Sequence, residues 1–419
     1  MDIVIRDGLC FVDGRFVRAN VGVKGGRIAY VGKDDLKGEI VIDASEKIVI
    51  PGIFNAHTHL AMTLFRGYAE DLPLKEWLEE KIWKVEGLLE PRDVYWGSLL
   101  GILEMLKTGT TAFSDLYIHM DEVAKAVNES GIRGVLSYGM ADRGDELKAK
   151  REIEIGLRFI KRWNGKKIKT IFGPHAPYTC TPDFLKRVKE IANEMGKHVH
   201  IHISETRWEV EYVKSKYGKT PVRLLDDIGF LDDKTVVAHA IWIDDEEMRI
   251  LKDRGVSVVH CPISNLKLAS GIARVKDMHD LGINVCLGTD GASSNNTYNM
   301  FEEMKMTSLL QKVITSRADA LKAGDVLKMA TENGYRAYGL RGGRIEEGYL
   351  ADIVLIDRKR ENYTPIYNPL HSIVYASYGC EVTHVIVDGE IVVDDGIVIT
   401  LDEDRIIDRV EGLKKKFLI

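Results

Sequence analysis

The sequence predicts an α/β protein: a (β/α)8 TIM-type barrel with a small β-sandwich domain formed from both chain ends. Three observations carry this. Between about 51 and 345, short apolar runs alternate with amphipathic helical periods. The stretches 1–50 and 346–419 are strand-rich instead, so they are expected to form one composite β-rich domain that brackets the barrel at 51–345. Finally, the polar residues worth naming gather at the C-terminal ends of the apolar runs, which in a barrel is the catalytic face.

The elements follow in order. Alternation over 21–32 is broken by Gly25-Gly26, a hairpin signal. Barrel strands are expected at 48–55, 110–114, 133–137, 169–173, 198–204, 235–239, 256–260 and 284–290. Helical periods lie between them at 92–107, 121–129, 151–163, 183–195, 244–253 and 275–281. A buried strand is expected at 349–357, a strand pair around Asp388-Gly389, and a last polar helix at 403–416. An open doubly wound sheet is the alternative. It would be favoured by a Gly-x-Gly-x-x-Gly turn after the first strand, and the sequence has none.

Composition narrows the function classes. The chain is 45% hydrophobic, enough for a large core and against disorder, and its net charge of −6 offers no basic footprint for nucleic acid. No run approaches the ~20 apolar residues of a membrane helix. The first residues lack a basic region followed by an apolar core, so no secretory signal is expected and the location is cytoplasmic. The five cysteines are far apart with no Cys-x-x-Cys pair, which argues against a disulfide scaffold or a cysteine-only zinc module. A single glutamine, Gln311, beside many charges is the compositional lean of a thermophile.

The chemistry sits at five strand ends. His57 and His59 close the first strand at i and i+2, so both imidazoles share one face and suit a divalent metal. His198, His200 and His202 share a face of the fifth strand; His202 lies nearest the mouth as a ligand candidate, while the other two read as hydrogen-bonded core histidines. Glu205 falls just past that strand, where a loop can swing it over a metal or where it is a helix N-terminal carboxylate. His239 ends the sixth strand as either a satisfied core group or a site residue. Asp290, between Gly288 and Gly291, can reach a metal or serve as an N-cap.

At this point a resemblance becomes specific. Pro51-Gly52-Ile53-Phe54-Asn55-Ala56-His57-Thr58-His59 resembles the first-strand signature of the amidohydrolase superfamily. The runs 63–72, 202–206, 264–271 and 288–296 resemble its branch of 5-methylthioadenosine/S-adenosylhomocysteine deaminases, related to triazine chlorohydrolases and guanine deaminases. The resemblance covers nearly the whole chain. It implies His57, His59, His202 and Asp290 as metal ligands, Glu205 as proton shuttle and His239 as partner of the water that the metal carries. Glu86, His175 and Arg151 become substrate residues, with Glu205 and Asp290 also facing the substrate. Where relatives carry an arginine for an anionic substrate end, this chain has Tyr138, with Arg143 nearby as a substitute. S-adenosylhomocysteine is therefore expected to be the poorer of the two thioether substrates, by about tenfold, and the reverse preference would point to Arg143 as the replacing cation.

The fourth strand runs into Pro174-His175, and its only lysine, Lys169, stands at its start. No bridging group for a second metal is therefore expected. One divalent ion is read, Zn2+ best by ligand type, with Fe2+ or Mn2+ also compatible. The expected reaction is hydrolytic deamination of a small purine nucleoside by a homo-oligomeric enzyme. The rivals are guanine deamination, triazine dechlorination, and, from another class, a non-catalytic scaffold on the same fold. The scaffold reading must explain why all four ligand positions and both acid–base positions are filled.

Overall fold

The computed structural model describes residues 1–418. The N-terminal stretch folds into β1 (Ile3–Val12), β2 (Arg15–Lys24), β3 (Arg27–Gly32), β4 (Ile40–Asp43) and β5 (Lys47–Pro51). The C-terminal stretch adds β14 (Ile353–Asp357), β15 (Val382–Val387), β16 (Glu390–Asp394) and β17 (Ile397–Val398). These strands form a single nine-stranded sheet in the order β17-β16-β15-β14-β5-β1-β2-β3, with β4 beside β1. The two chain ends meet where β5 and β14 pair antiparallel. The sheet folds over on itself: Ile3, Val21 and Ile28 share one core with Ile353, Leu355 and Ile386. Both expected hairpins are present, turning at Gly25-Gly26 and Asp388-Gly389.

The barrel strands are β6 (Ile53–Thr58), β7 (Thr110–Tyr117), β8 (Arg133–Met140), β9 (Ile168–Pro174), β10 (Val199–Ile203), β11 (Thr235–His239), β12 (Ser257–His260) and β13 (Asn284–Leu287). Neighbours pair in parallel from β6 to β13. Such strands are covered on both faces, which is why they read as β-branched apolar runs with little alternation. β10 and β11 are buried at every residue. The barrel closes where Thr289 N donates to Asn55 Oδ1 at 3.0 Å and Asp290 N to His57 O at 3.0 Å. Gly288 allows that seam, because a Cβ there would stand 2.8 Å from the His57 backbone nitrogen. At the other end, Tyr335 and Tyr338 pack on Phe54 and share its interior cluster, giving the barrel a floor.

The sequence predicted one strand over 48–55; the structure divides it. β5 belongs to the terminal sheet and β6 to the barrel, with Gly52 between them. A Cβ at Gly52 would run into Thr111 of β7, and Gly52 N donates to Asp352 O at 2.8 Å. The chain therefore turns from one sheet into the other at that glycine.

The helices begin where capping chemistry allows. Thr181 caps the helix Pro182–Glu194, Asp145 caps Glu146–Trp163, and Asp244 with Glu247 forms a capping box for Asp245–Asp253. The last helix, Glu403–Leu413, leaves the terminal sheet and packs on the barrel helix Pro91–Lys107, with Lys107 Nζ 2.6 Å from Glu403 Oε1.

One buried ion pair ties the two sheets together. Arg133, at the start of β8, meets Asp352 through Nε at 2.9 Å and Nη2 at 3.0 Å, and Tyr335 donates to the same carboxylate at 2.8 Å. Asp352 is 1% exposed, so removing it strands a charge that costs about 3–5 kcal/mol. Asp352→Ala should lower the unfolding free energy by about that amount in a denaturant titration. A change no larger than that of a surface substitution would show that the pair carries no weight.

Candidate active site

The side chains converge because of where each strand stops. His57 lies inside β6 and His59 just past it, two residues apart on one face. Thr58, between them, turns the other way and donates to Asp115 Oδ1 at 2.7 Å. The same oxygen accepts from Leu60 N at 2.7 Å, which fixes the turn that follows His59. His202 is the penultimate residue of β10, with its ring centroid 4.8 Å from that of His57 and 5.3 Å from that of His59. Asp290 Oδ1 stands 3.2 Å from His59 Nε2 and 3.5 Å from His57 Nε2.

The tautomers are set by acceptors that have no hydrogen to give. His59 Nδ1 lies 2.6 Å from Leu116 O, and His202 Nδ1 lies 2.7 Å from His175 O. A carbonyl only accepts, so each Nδ1 carries the proton and each Nε2 turns a lone pair inward. The two Nε2 atoms are 3.3 Å apart. His57 is fully buried, and neither of its nitrogens has a hydrogen-bond partner among the described residues. Ligand atoms of His57, His59 and His202 lie within 4.8 Å of one another, as do those of His57, His239 and Asp290. Orphaned imidazole nitrogens facing a carboxylate are the donor set of a divalent metal, so the residues present fit the ion.

Electrostatics agree with that donor set. Burial lowers the pKa of His57 to about 4. Burial opposes charge on His59 as well, but Asp290 beside it prevails and lifts its pKa to about 9. A cation at the same spot takes the place of that proton. Burial disfavours charge on Asp290 also, yet the facing imidazoles hold its carboxyl well below the ordinary range. Its other oxygen accepts from Ser264 Oγ at 2.6 Å and Ser294 Oγ at 3.0 Å.

Beside this cluster stand the acid–base candidates. His239 ends β11 with its Nδ1 2.9 Å from Asn265 Oδ1 and its Nε2 3.8 Å from Glu205 Oε2. Glu205 is 4% exposed, and that burial raises its pKa. Ser204, His239 and Asp290 all have positive φ, at 50°, 72° and 64°. Non-glycine residues held there cost energy and mark sites whose surroundings over-determine them. Each bend turns a chain end inward at the mouth.

These groups line a cavity of about 230 Å3. It is also lined by Trp77, Trp83, Leu116 and Tyr178, with Glu86 and His175 as polar points, the His175 ring 4.9 Å from that of His202. Glu86 sits on the helix Trp83–Glu86, past the π-helical turn Trp77–Ile82, in the long connection after β6. Burial raises its pKa against the neighbouring Tyr117 hydroxyl. A second cavity of about 410 Å3 lies outside and shares Trp83, Arg143, Tyr178 and Thr179 with the first. Three cations rest on its aromatic faces: Arg143 on Trp83, Lys75 on Trp208 and Lys216 on Tyr212.

Arg151 is not brought to this cavity. It is exposed on the helix Glu146–Trp163. The next residue, Glu152, faces inward to Tyr138, and successive helical positions point about 100° apart. Arg143 occupies the place on the cavity wall instead. Of the two deeper histidines, His200 Nδ1 meets Tyr338 Oη at 2.8 Å, as a core histidine should. His198 is buried as expected, but its Nδ1 finds no partner among the described residues. Lys169 donates to Tyr338 O at the barrel floor, far from the mouth, and so bridges no second metal there.

Residues 48–392 match the profile of the amidohydrolase family. The chain belongs to the amidohydrolase family. Among its relatives, a 5-methylthioadenosine/S-adenosylhomocysteine deaminase 2 of Archaeoglobus fulgidus is 54% identical over 98% of this chain and 97% of its own. A 5'-deoxyadenosine deaminase of Methanosarcina acetivorans is 45% identical over 97% and 96%. Among solved structures, an adenosine deaminase from Xanthomonas campestris with bound zinc aligns at a TM-score of 0.95 and 32% identity, covering 99% of this chain and 98% of that one. An atrazine chlorohydrolase from Arthrobacter aurescens, at 23% identity and a TM-score of 0.92 over 98% and 100%, shares the fold.

Within this amidohydrolase site, sequence reasoning missed the residues that hold the others. Glu209 accepts from Ser204 N at 2.9 Å and Glu205 N at 2.8 Å, pinning the backbone that aims Glu205. Its pKa is raised to about 7 by burial. Asp115, Asn265, Ser264 and Ser294 act likewise on His59, His239 and Asp290. The run Ser264-Asn265 lay inside a segment already singled out, and its polar pair in an apolar stretch was the available signal.

Proposed function

We propose that this protein is a hydrolytic deaminase of 5'-substituted adenosines, with 5'-methylthioadenosine and S-adenosylhomocysteine as substrates. One observation carries the reading: a His/Asp cluster fit for one divalent ion, a buried carboxyl and a histidine share a cavity that Glu86 and His175 also line. The relatives named above support the substrate class. His57, His59, His202 and Asp290 would hold the ion, zinc by preference of three imidazoles and a carboxylate. When bound it supplies Lewis-acid activation that brings the pKa of water from 15.7 to ≈ 7.

The chain's own groups do the rest. Asp290, kept ionised and anchored by Ser264 and Ser294, takes the proton of the attacking water. Glu205, whose pKa is raised by burial, gives a proton to the ring nitrogen beside the 6-amino carbon and makes that carbon electrophilic. His239 faces the oxygen that adds. Asp290 then passes the water's proton to the amino group, the C–N bond breaks and ammonia leaves, and the proton remaining on the added oxygen returns to Glu205 as the 6-oxo product forms. Proton transfer of this kind is worth about 10²–10⁴-fold. Glu86 and His175 hold the ribose, so remote binding energy orients the purine.

Relatives at similar identity carry either the thioether name or the 5'-deoxyadenosine name. The outer cavity favours the longer substituent. Arg143 lines both cavities and stands where Tyr138 offers no charge, so it can meet a homocysteine carboxylate. We further read the enzyme as cytoplasmic, in keeping with cysteines that are all free thiols, and as a homo-oligomer.

The test is ammonia release from 5'-methylthioadenosine, S-adenosylhomocysteine, 5'-deoxyadenosine, adenosine, adenine, guanine and a chlorotriazine, by the wild type and Arg143→Ala. Both thioethers should far exceed adenine and guanine in kcat/KM. The variant should lose about tenfold, or ~1.4 kcal/mol, on S-adenosylhomocysteine alone. Adenine turned over as fast as its nucleosides, or a chlorotriazine preferred to them, would overturn the reading.

A further inference from the structure

A neutral imidazole has one N–H and one bare lone pair, so a partner that fixes one nitrogen decides what the other offers. His175 follows β9 and its ring lines the inner cavity. Its Nδ1 lies 2.8 Å from Thr179 Oγ1. That hydroxyl has a single hydrogen and a second neighbour, Ala176 O at 3.2 Å, which can only accept. Thr179 N and Cys180 N also reach Ala176 O, at 3.1 and 2.9 Å, so the turn 176–180 is closed and Thr179 is held in place. Thr179 is itself 8% exposed. Arg143 lines the same cavity and brings a positive charge to it. Such charge favours a bare nitrogen facing it.

We propose that Thr179 is a positioning residue: its hydroxyl donates to Ala176 O, accepts from His175 Nδ1–H, and so presents His175 Nε2 to the substrate as a hydrogen-bond acceptor. This rests on the reading of His175 as a ribose contact and deepens it. The site then demands a hydrogen from the sugar at that point. A hydroxyl satisfies it; fluorine, an ether or a carbonyl does not. Thr179 thereby excludes sugars that carry only acceptors there, acting through the His175 ring.

Two measurements test this. The first is kcat/KM for 5'-methylthioadenosine and analogues whose 2'- or 3'-hydroxyl is replaced by hydrogen or by fluorine, with wild type, Thr179→Ser and Thr179→Val. At the hydroxyl that His175 reads, the wild type should lose about three- to tenfold with either replacement, mostly in KM, as for one hydrogen bond. Fluorine should do no better than hydrogen. Thr179→Ser should keep that pattern. In Thr179→Val the ring is free to place its proton on Nε2, so the fluoro analogue should gain on the deoxy one.

The second measurement is the ¹⁵N spectrum of the His175 ring in the wild-type protein, assigned with a His175→Gln variant. A protonated Nδ1 and a bare Nε2 are expected. Protonated Nε2, or fluorine restoring activity in the wild type, overturns the proposal. If neither hydroxyl matters to turnover, the ribose contact is what fails, and the nitrogen spectrum alone then decides the role of Thr179.

Discussion

His57→Ala should strip the protein of its metal and abolish turnover while leaving it folded. His57 is the one imidazole present in both candidate ligand groups. Among the imidazoles of that cluster it is also the one whose two nitrogens are both buried without a partner among the described residues. Leaving a buried polar group unsatisfied costs about 1–3 kcal/mol, so the residue is a burden on the fold unless a cation repays it. Removing it therefore costs the apoprotein little. The loss of metal affinity should exceed the about 10–100-fold typical of losing an outer partner of a ligand, because a ligand itself is gone. His59 and Asp290, left 3.2 Å apart, then close on each other as an ion pair. Metal content by elemental analysis, thermal unfolding with and without added zinc, and ammonia release together decide the matter. Full metal stoichiometry with normal turnover in the variant would show that the ion sits elsewhere.

How far the sequence reveals this site depends on which part is asked about. Histidines inside apolar runs stand out because strand periodicity assigns each to a face, so His57, His59, His202 and His239 could be placed at the mouth before any coordinates. The bends that aim them could not. Positive φ at Ser204, His239 and Asp290 is imposed by tertiary contacts that residue type alone does not reveal. Glu209 is an ordinary first-turn acid by sequence, and only the folded chain shows both its oxygens spent on the 204–205 backbone. Arg151 failed for the opposite reason. A motif position can be matched while the helix phase turns the side chain away, and Arg143, three residues past β8, reaches the cavity instead. The strand over 48–55 was divided by Gly52, whose reason lies in Thr111, far along the chain.

Glu205→Gln should leave metal content and KM nearly unchanged and lower kcat by at least ~10², the loss expected when an acid–base group is removed. The side chain is buried at the cavity wall, 3.8 Å from His239 Nε2, and glutamine fills the same volume. Glutamine can hydrogen-bond the purine ring but cannot hand it a proton. Burial raises the Glu205 pKa, the direction that favours a group acting as an acid in the reaction. The nearest carboxylate that could take over is Glu209, whose pKa is also raised, to about 7. Both of its oxygens, however, are engaged by the backbone N–H groups of Ser204 and Glu205. It cannot turn to the substrate without releasing the segment that carries residue 205. A rescue by Glu209 would therefore need that turn to open. A wild-type kcat in Glu205→Gln would assign the shuttle to another residue, with His239 first in reach.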